Sequence, residues 1–89
     1  MLSAEKTSKA LQEIGVKVQS YEESKDPKLM DGEVILENSL SVQVGTDYAC
    51  LCHLKEDDID YLLELDEVNN ESQIATEVGK FLNAWQQQK

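Results

Sequence analysis

The sequence predicts an α+β domain made of an N-terminal helix, an antiparallel meander sheet of four to five strands, and a C-terminal amphipathic helix. Apolar residues recur with helical spacing near both ends of the chain, and between these ends they alternate with polar residues as in strands. Tight-turn residues separate the alternating runs, which is typical of antiparallel neighbours. Because 89 residues suffice for one domain, we assign residues 1–89 to a single acidic α+β domain.

The first helix is predicted to begin after Ser3 and to end near Ile14. Ser3 is a favourable N-cap, and Gly15 stands where helices commonly end in a left-handed residue. The apolar stripe of this helix has the spacing i, i+3, i+4, i+7 and consists of Thr7, Ala10, Leu11 and Ile14.

The strand predictions begin directly after this helix. Residues 16–19 alternate in polarity and indicate a half-buried strand, whereas residues 22–32, which include Pro27, are typical of a loop. Residues 33–37 and 40–44 alternate again on either side of Asn38-Ser39, a pair that suits a tight hairpin turn.

The next run, residues 48–54, follows a second turn at residues 45–47 and is apolar on both sides apart from His53. This pattern predicts a central strand, with partial cover on both faces of the sheet. Two terminal helices could otherwise pack on the same face, so both arrangements stay open.

Residues 58–66 are the segment with two interpretations. Ile59, Tyr61, Leu63 and Leu65 alternate with mostly acidic residues, which favours a strand, although Ile59, Leu62 and Leu63 also fit one face of a helix. We predict a strand here. The last helix follows the turn Asn69-Asn70, and its apolar stripe consists of Ile74, Val78, Phe81, Leu82 and Trp85; Asn70 and Gln73 resemble a capping box at its start.

The negative charge is concentrated in the second part of the chain. Residues 1–28 hold five lysines and five acids, whereas residues 29–89 hold three lysines and thirteen acids and so carry the whole net charge of −10. Residues 56–77 contain nine acids and no base, and the chain has no arginine. Such a field selects partners by sign, which argues against direct binding to nucleic acid or to anionic membranes.

The sequence also predicts a cytoplasmic protein without a cofactor. No apolar run approaches the roughly 18 residues of a membrane span, and the first residues lack the pattern of a signal peptide. The apolar residues suffice for one core but not also for a deep cofactor pocket.

Cys50, Cys52 and His53 form the one cluster of soft metal ligands in the sequence. In a strand the two cysteines share a face and His53 points the other way, so the three do not converge on one ion. We therefore expect buried structural cysteines rather than a metal site, and no disulfide between them. His53 lacks an activated nucleophile nearby, and we predict that the protein is not an enzyme.

The candidate binding site is a row of acids in the predicted strand 58–66. Asp58, Asp60, Glu64 and Asp66 would project from one face at successive spacings of about 6.6–6.8 Å, followed by Glu67. Leu62 interrupts the row as a plausible apolar anchor. The alternative is an ordinary solvated face that keeps an edge strand from pairing.

Three functions are weighed on this basis. The first is a non-enzymatic acidic module that binds a basic protein surface, in its sharpest form a nucleic-acid-mimic inhibitor of phage or mobile-element type. The second is a small acidic chaperone or adaptor that binds a client through exposed apolar surface, with Leu51, Leu62 or Trp85 as candidates, and that forms a homodimer. The third is a small metal-binding protein that uses Cys50, Cys52 and His53.

Overall fold

The structure is a computed structural model that describes residues 2–23 and 32–87. It has the predicted α+β architecture, with one helix on each side of five strands in the sequence. The predicted loop at 22–32 lies for the most part, at residues 24–31, outside the described residues. The elements in chain order are α1 (Ala4–Glu13), β1 (Val18–Glu22), β2 (Gly32–Leu36), β3 (Leu40–Val44), β4 (Ala49–Leu54), β5 (Ile59–Leu65) and α2 (Glu71–Gln87).

Local side-chain and backbone hydrogen bonds fix both ends of α1, as predicted. The Ser3 side chain accepts a hydrogen bond from a backbone N–H of the first turn. At the other end, Gly15 has φ +92°, and its N–H donates to the Gln12 carbonyl at 3.0 Å while the Val16 N–H donates to the Leu11 carbonyl at 3.0 Å. These two bonds form the Schellman arrangement, which needs the left-handed residue that glycine supplies.

The five strands form one antiparallel meander in the order β1-β2-β3-β4-β5. Asn38 and Ser39 have φ values of 62° and 64°, the positive values that a two-residue hairpin turn of the primed type requires. The predicted strand at 48–54 is β4, which lies between β3 and the edge strand β5. The meander prediction is therefore confirmed.

Both helices pack on the same face of the sheet and against each other. The core between the layers contains fully buried side chains from both, namely Leu11, Ile74 and Val78 from the helices and Val34, Val42, Val44 and Leu51 from the sheet. The two helices therefore do not divide between the faces, although Ser41 and Cys52, which lie on the other face, are also fully buried. Ile14, which follows α1, lies against Gly79 of α2: a Cβ atom at Gly79 would lie 2.7 Å from Ile14 Cδ1.

The strand predicted at residues 58–66 is present as β5 (Ile59–Leu65), but its alternation breaks at a β-bulge. Leu51 of β4 lies opposite Leu63, whereas the next residue, Cys52, lies opposite Tyr61, so Leu62 is the extra residue. Leu62 and Leu63 both pack against the core from half-buried positions. The bulge therefore turns two neighbouring leucines to the covered face. Odd-numbered residues before the bulge point to the opposite face from odd-numbered residues after it.

The predicted capping residues hold the start of α2. The Gln73 N–H donates to Asn70 Oδ1 at 2.9 Å, and the Gln73 side chain accepts from the Asn69 N–H at 3.1 Å. This reciprocal pair differs from the predicted capping box only in that the second bond goes to the residue before the cap. The helix then buries its apolar stripe on the sheet, with Ile74 and Val78 fully enclosed.

Candidate interaction surface

One face of the sheet carries neither helix of the described chain, and we call it the open face. Directly opposed residues of antiparallel strands share a face, so the register assigns its members. One cross-strand row consists of Glu22, Glu33, Gln43, Cys50 and Glu64, and the neighbouring row of Ser20, Ile35, Ser41, Cys52 and Tyr61. Leu54 and Ile59 extend this face towards the turn between β4 and β5.

The first row brings three carboxylates to the open face, from β1, β2 and β5. We call Glu22, Glu33 and Glu64 the acidic row. Glu33 accepts a hydrogen bond from Ser41 Oγ at 3.0 Å, which holds that carboxylate over the middle strands. None of the described strand positions that the register assigns to the open face is a lysine. The charged strand positions that the register assigns to this face, within residues 2–23 and 32–87, are therefore all acidic.

The opposite corner of the open face is apolar and accessible. We call Leu54, Ile59 and Tyr61 the apolar corner. Tyr61 is 59% exposed and Ile59 41% exposed, while Leu54 is half-buried. Large exposed apolar and aromatic side chains are the residues that commonly anchor protein interfaces. The open face thus combines an anchor and a charged rim.

The two thiols lie between these parts of the open face. Cys50 Sγ and Cys52 Sγ are 3.7 Å apart, and the Cys50 thiol donates to Gln43 Oε1 at 3.7 Å. Burial, followed by the hydrogen bond with Cys50, raises the pKa of Cys52 from 9.0 to about 12, and the Glu33 and Glu64 carboxylates add to the shift. Cys52 is therefore a protonated, enclosed thiol at neutral pH.

His53 lies on the covered face, away from both cysteines. Its ring meets the Trp85 ring edge-on, with centroids 6.0 Å apart and an interplanar angle of 62°. Among the described residues, no group of three or more histidine, cysteine, aspartate or glutamate side chains is placed to hold a metal ion. The geometry thus keeps Cys50, Cys52 and His53 from acting as one ligand set.

The predicted acidic array at 58–66 does not lie on one face. Asp60 lies opposite His53 on the covered side, whereas Glu64 lies opposite Cys50 on the open face. The bulge at Leu62 separates them, because one extra residue reverses the alternation. The expectation of a single row is therefore wrong.

The acids of that array also have local structural roles. Asp58 Oδ1 accepts from the Ile59 N–H at 2.8 Å within the turn, and Asp60 forms an ion pair with Lys55 at 2.6 Å. Asp66 and Glu67 follow β5 as exposed residues of the next turn. Of the residues predicted to bind a partner, Glu64 is the one that lies on the open face.

The apolar anchors predicted from the sequence are not the exposed ones. Leu51 is fully buried in the core, and Leu62 and Trp85 are half-buried against it. Ile59 and Tyr61 were not among the predicted binding residues, because the prediction placed the binding site on the acids that alternate with them. In β2 the buried Val34 and Leu36 alternate with the half-buried Glu33 and Ile35, a difference that only the structure shows.

A cleft of about 410 Å³ lies at the far end of the covered side, between the end of α1, α2 and the β2–β3 turn. Its walls include Lys17, Glu37, Asn83 and Trp85. Because both charge signs line it, the cleft favours no particular ligand. It shares no residue with the acidic row or the apolar corner.

No protein-family model matches the sequence, and searches of curated proteins and of solved structures gave no significant match. No helix in the described part of the chain is long and apolar enough to cross a membrane.

Proposed function

We propose that the protein is a non-enzymatic acidic module that binds a basic surface of a protein partner through the open face. The observation that supports this is the exposure of Tyr61 and Ile59 beside the acidic row, on a sheet face that neither described helix covers. An antiparallel sheet with one solvated face usually presents polar residues there. An apolar corner on that face is what an interface requires.

The two parts of the surface have different roles in binding. Burial of the apolar corner supplies most of the affinity, because interface energy is concentrated in a few apolar and aromatic residues. The acidic row selects the sign of the partner and accelerates the encounter. A chain with a net charge of −10 repels nucleic acid and anionic lipid, which leaves basic protein surfaces as the matching class.

A nucleic-acid mimic is the narrower version of this proposal. It rested on an evenly spaced row along residues 58–66, and the bulge at Leu62 divides that row between two faces. The general charge argument remains, because it depends on the sign and not on the spacing. Competition by DNA or RNA for the captured partner would distinguish an inhibitor of this type from other acidic modules.

A test of the proposal is affinity capture of partners from a lysate of the source organism. We expect the double variant Glu33→Gln/Glu64→Gln to bind the partner about tenfold more weakly than wild type, a loss of about 1.4 kcal/mol in binding free energy. The matched control is Glu13→Gln/Glu77→Gln, which removes the same charge from the two helices. Equal capture of the same partners by all three proteins would refute the proposal.

A chaperone or adaptor is the second candidate, and the exposure of Tyr61 and Ile59 favours it. Such a client contact would depend on apolar burial and would survive 0.5 M salt, a concentration at which exposed charges are screened within roughly 4–5 Å. The acidic module would bind its partner more weakly there, because the contribution of the acidic row to the encounter would be screened. Tyr61→Ala should weaken either complex, so the salt dependence is the deciding measurement.

A further inference from the structure

The sheet edges of this fold are poorly suited to pairing with a further strand. In β1 the register shifts between Val18 and Ser20, which leaves Gln19 as an extra residue, and in β5 it shifts at Leu62. Neither edge strand therefore offers a regular run longer than three residues, such as 20–22 or 63–65. Bulges of this kind interrupt the hydrogen-bonding row that an added strand would need.

The open face, in contrast, has the dimensions of a helix-binding layer. Five strands spaced about 4.8 Å apart give a face about 19 Å wide, and the six residues of β4 extend about 20 Å. A helix is about 10–12 Å in diameter, and about 13 residues of it span the length of β4. One helix matches these dimensions, and its contacts would be with the exposed side chains of β5, because Ser41 and Cys52 in the middle of the face are fully buried.

The chemistry of β4 and β5 sets the pattern of that helix. Tyr61 lies opposite Cys52, and Glu64 lies opposite Cys50, two positions along β4 and so about 6.6–6.8 Å away. This distance corresponds to about four to five helical residues at 1.5 Å each. An apolar residue over Tyr61 would therefore be followed about one turn later by a residue facing Glu64.

We infer that the partner docks a basic amphipathic helix along the open face, with an apolar residue on the apolar corner and lysine or arginine about one turn away facing Glu64. The inference rests on the proposed function and specifies the partner element. Charge complementarity favours this occupant, because the strand positions of the face carry the carboxylates of Glu33 and Glu64 and, within the described chain, no lysine. A second copy of this acidic chain would be repelled.

The four isoleucines of the chain allow the site to be read directly. Ile35 and Ile59 lie on the open face, whereas Ile74 lies in the core and Ile14 lies at the end of α1. The full chain, labelled with ¹³C at its isoleucine methyl groups, is titrated with an 18-residue peptide of alanine, leucine and lysine that has one apolar stripe. We expect saturable shifts of the Ile35 and Ile59 methyl signals and unchanged signals from Ile14 and Ile74.

The comparison peptide has the same composition in an alternating, strand-forming order, and should bind at least about tenfold more weakly. Tyr61→Ala should weaken binding of the helical peptide about tenfold, and the matched control Tyr21→Ala, which removes an exposed aromatic on the covered side, should leave it unchanged. Shifts confined to Ile14 and Ile74, tighter binding of the alternating peptide, or no saturable binding of the helical peptide would overturn the inference. The proposed function fails separately, if lysate capture ignores Glu33 and Glu64.

Discussion

Glu71, the first residue of α2, binds the start of α1: the Ser3 N–H donates to Glu71 Oε2 at 2.9 Å across 68 residues of sequence. A second carboxylate, that of Glu23, accepts from the Glu5 N–H at 2.9 Å. Two acids from distant segments therefore satisfy backbone donors that the first turn of a helix leaves without partners, where the helix dipole also favours negative charge.

Replacement of Glu71 should therefore cost stability although the residue lies outside the core. We expect Glu71→Ala to lower the free energy of unfolding by about 0.5–1.5 kcal/mol, the usual contribution of one hydrogen bond. Urea denaturation followed by circular dichroism measures this loss. Glu13→Ala, an exposed acid at the other end of α1, is the control and should stay within about 0.5 kcal/mol of wild type. An equal effect of both changes would contradict the tertiary cap.

Leu62 and Tyr61 are neighbours in sequence but should give opposite results on mutation. Leu62 packs against the core from a half-buried position, so Leu62→Ala should destabilise the protein by about 1–3 kcal/mol, less than the 2–5 of a fully buried leucine, and leave partner capture unchanged. Tyr61→Ala should reduce partner capture and leave the stability unchanged, because the ring is exposed. Urea midpoints and lysate capture on both variants measure the two effects. Loss of binding without loss of stability in Leu62→Ala would restore Leu62 as the interface anchor.

Gly79 is a position where alanine should stabilise the protein. Glycine in the middle of α2 costs about 1 kcal/mol relative to alanine. The added Cβ would meet Ile14 Cδ1, the end of a flexible side chain that is 51% exposed and can rotate away. We expect Gly79→Ala to raise the unfolding free energy by about 0.5–1 kcal/mol in thermal or urea melts. If it destabilises instead, the same change in an Ile14→Ala background should recover the gain.

The elements of the fold could be predicted because their signals are local. Ser3 and Gly15 define α1 through backbone bonds within a few residues, and Asn38-Ser39 defines a hairpin for the same reason. The choice of face for the helices could not be predicted in this way. It depends on the packing of α1 against α2, which joins residues far apart in sequence.

The candidate site was less predictable because a single bulge decides it. In the sequence, every second residue from Ile59 to Leu65 is apolar, on both sides of Leu62. A regular strand with this pattern would place Asp60 and Glu64 on the same face. Only the pairing with β4 shows that Leu62 is the extra residue. The sequence therefore predicts Glu64 as a binding residue but does not predict Tyr61 or Ile59.

The two thiols should differ in reactivity, because only one is accessible. Cys50 is partly exposed, whereas Cys52 is fully buried with a pKa of about 12. The thiolate is the reactive form, so N-ethylmaleimide at pH 8 should modify one thiol rapidly in the folded protein and both in 8 M urea, as counted by mass spectrometry. In Cys50→Ser the folded protein should react slowly, since burial remains the main cause of the raised pKa. Rapid modification of that variant would show that Cys52 is accessible.

The raised pKa of Cys52 also predicts how stability depends on pH. The folded state holds this proton up to about pH 12, whereas the unfolded chain releases it near 9.0, so between these values the unfolded state binds fewer protons. The contribution of Cys52 is therefore complete below pH 9 and is lost as the pH rises towards 12. Urea unfolding of wild type and Cys52→Ala across this range isolates the effect, because the titrating lysines and tyrosines are common to both proteins. With rising pH, wild type should lose more unfolding free energy than Cys52→Ala. A stability difference that stays constant would show that the thiol has no raised pKa.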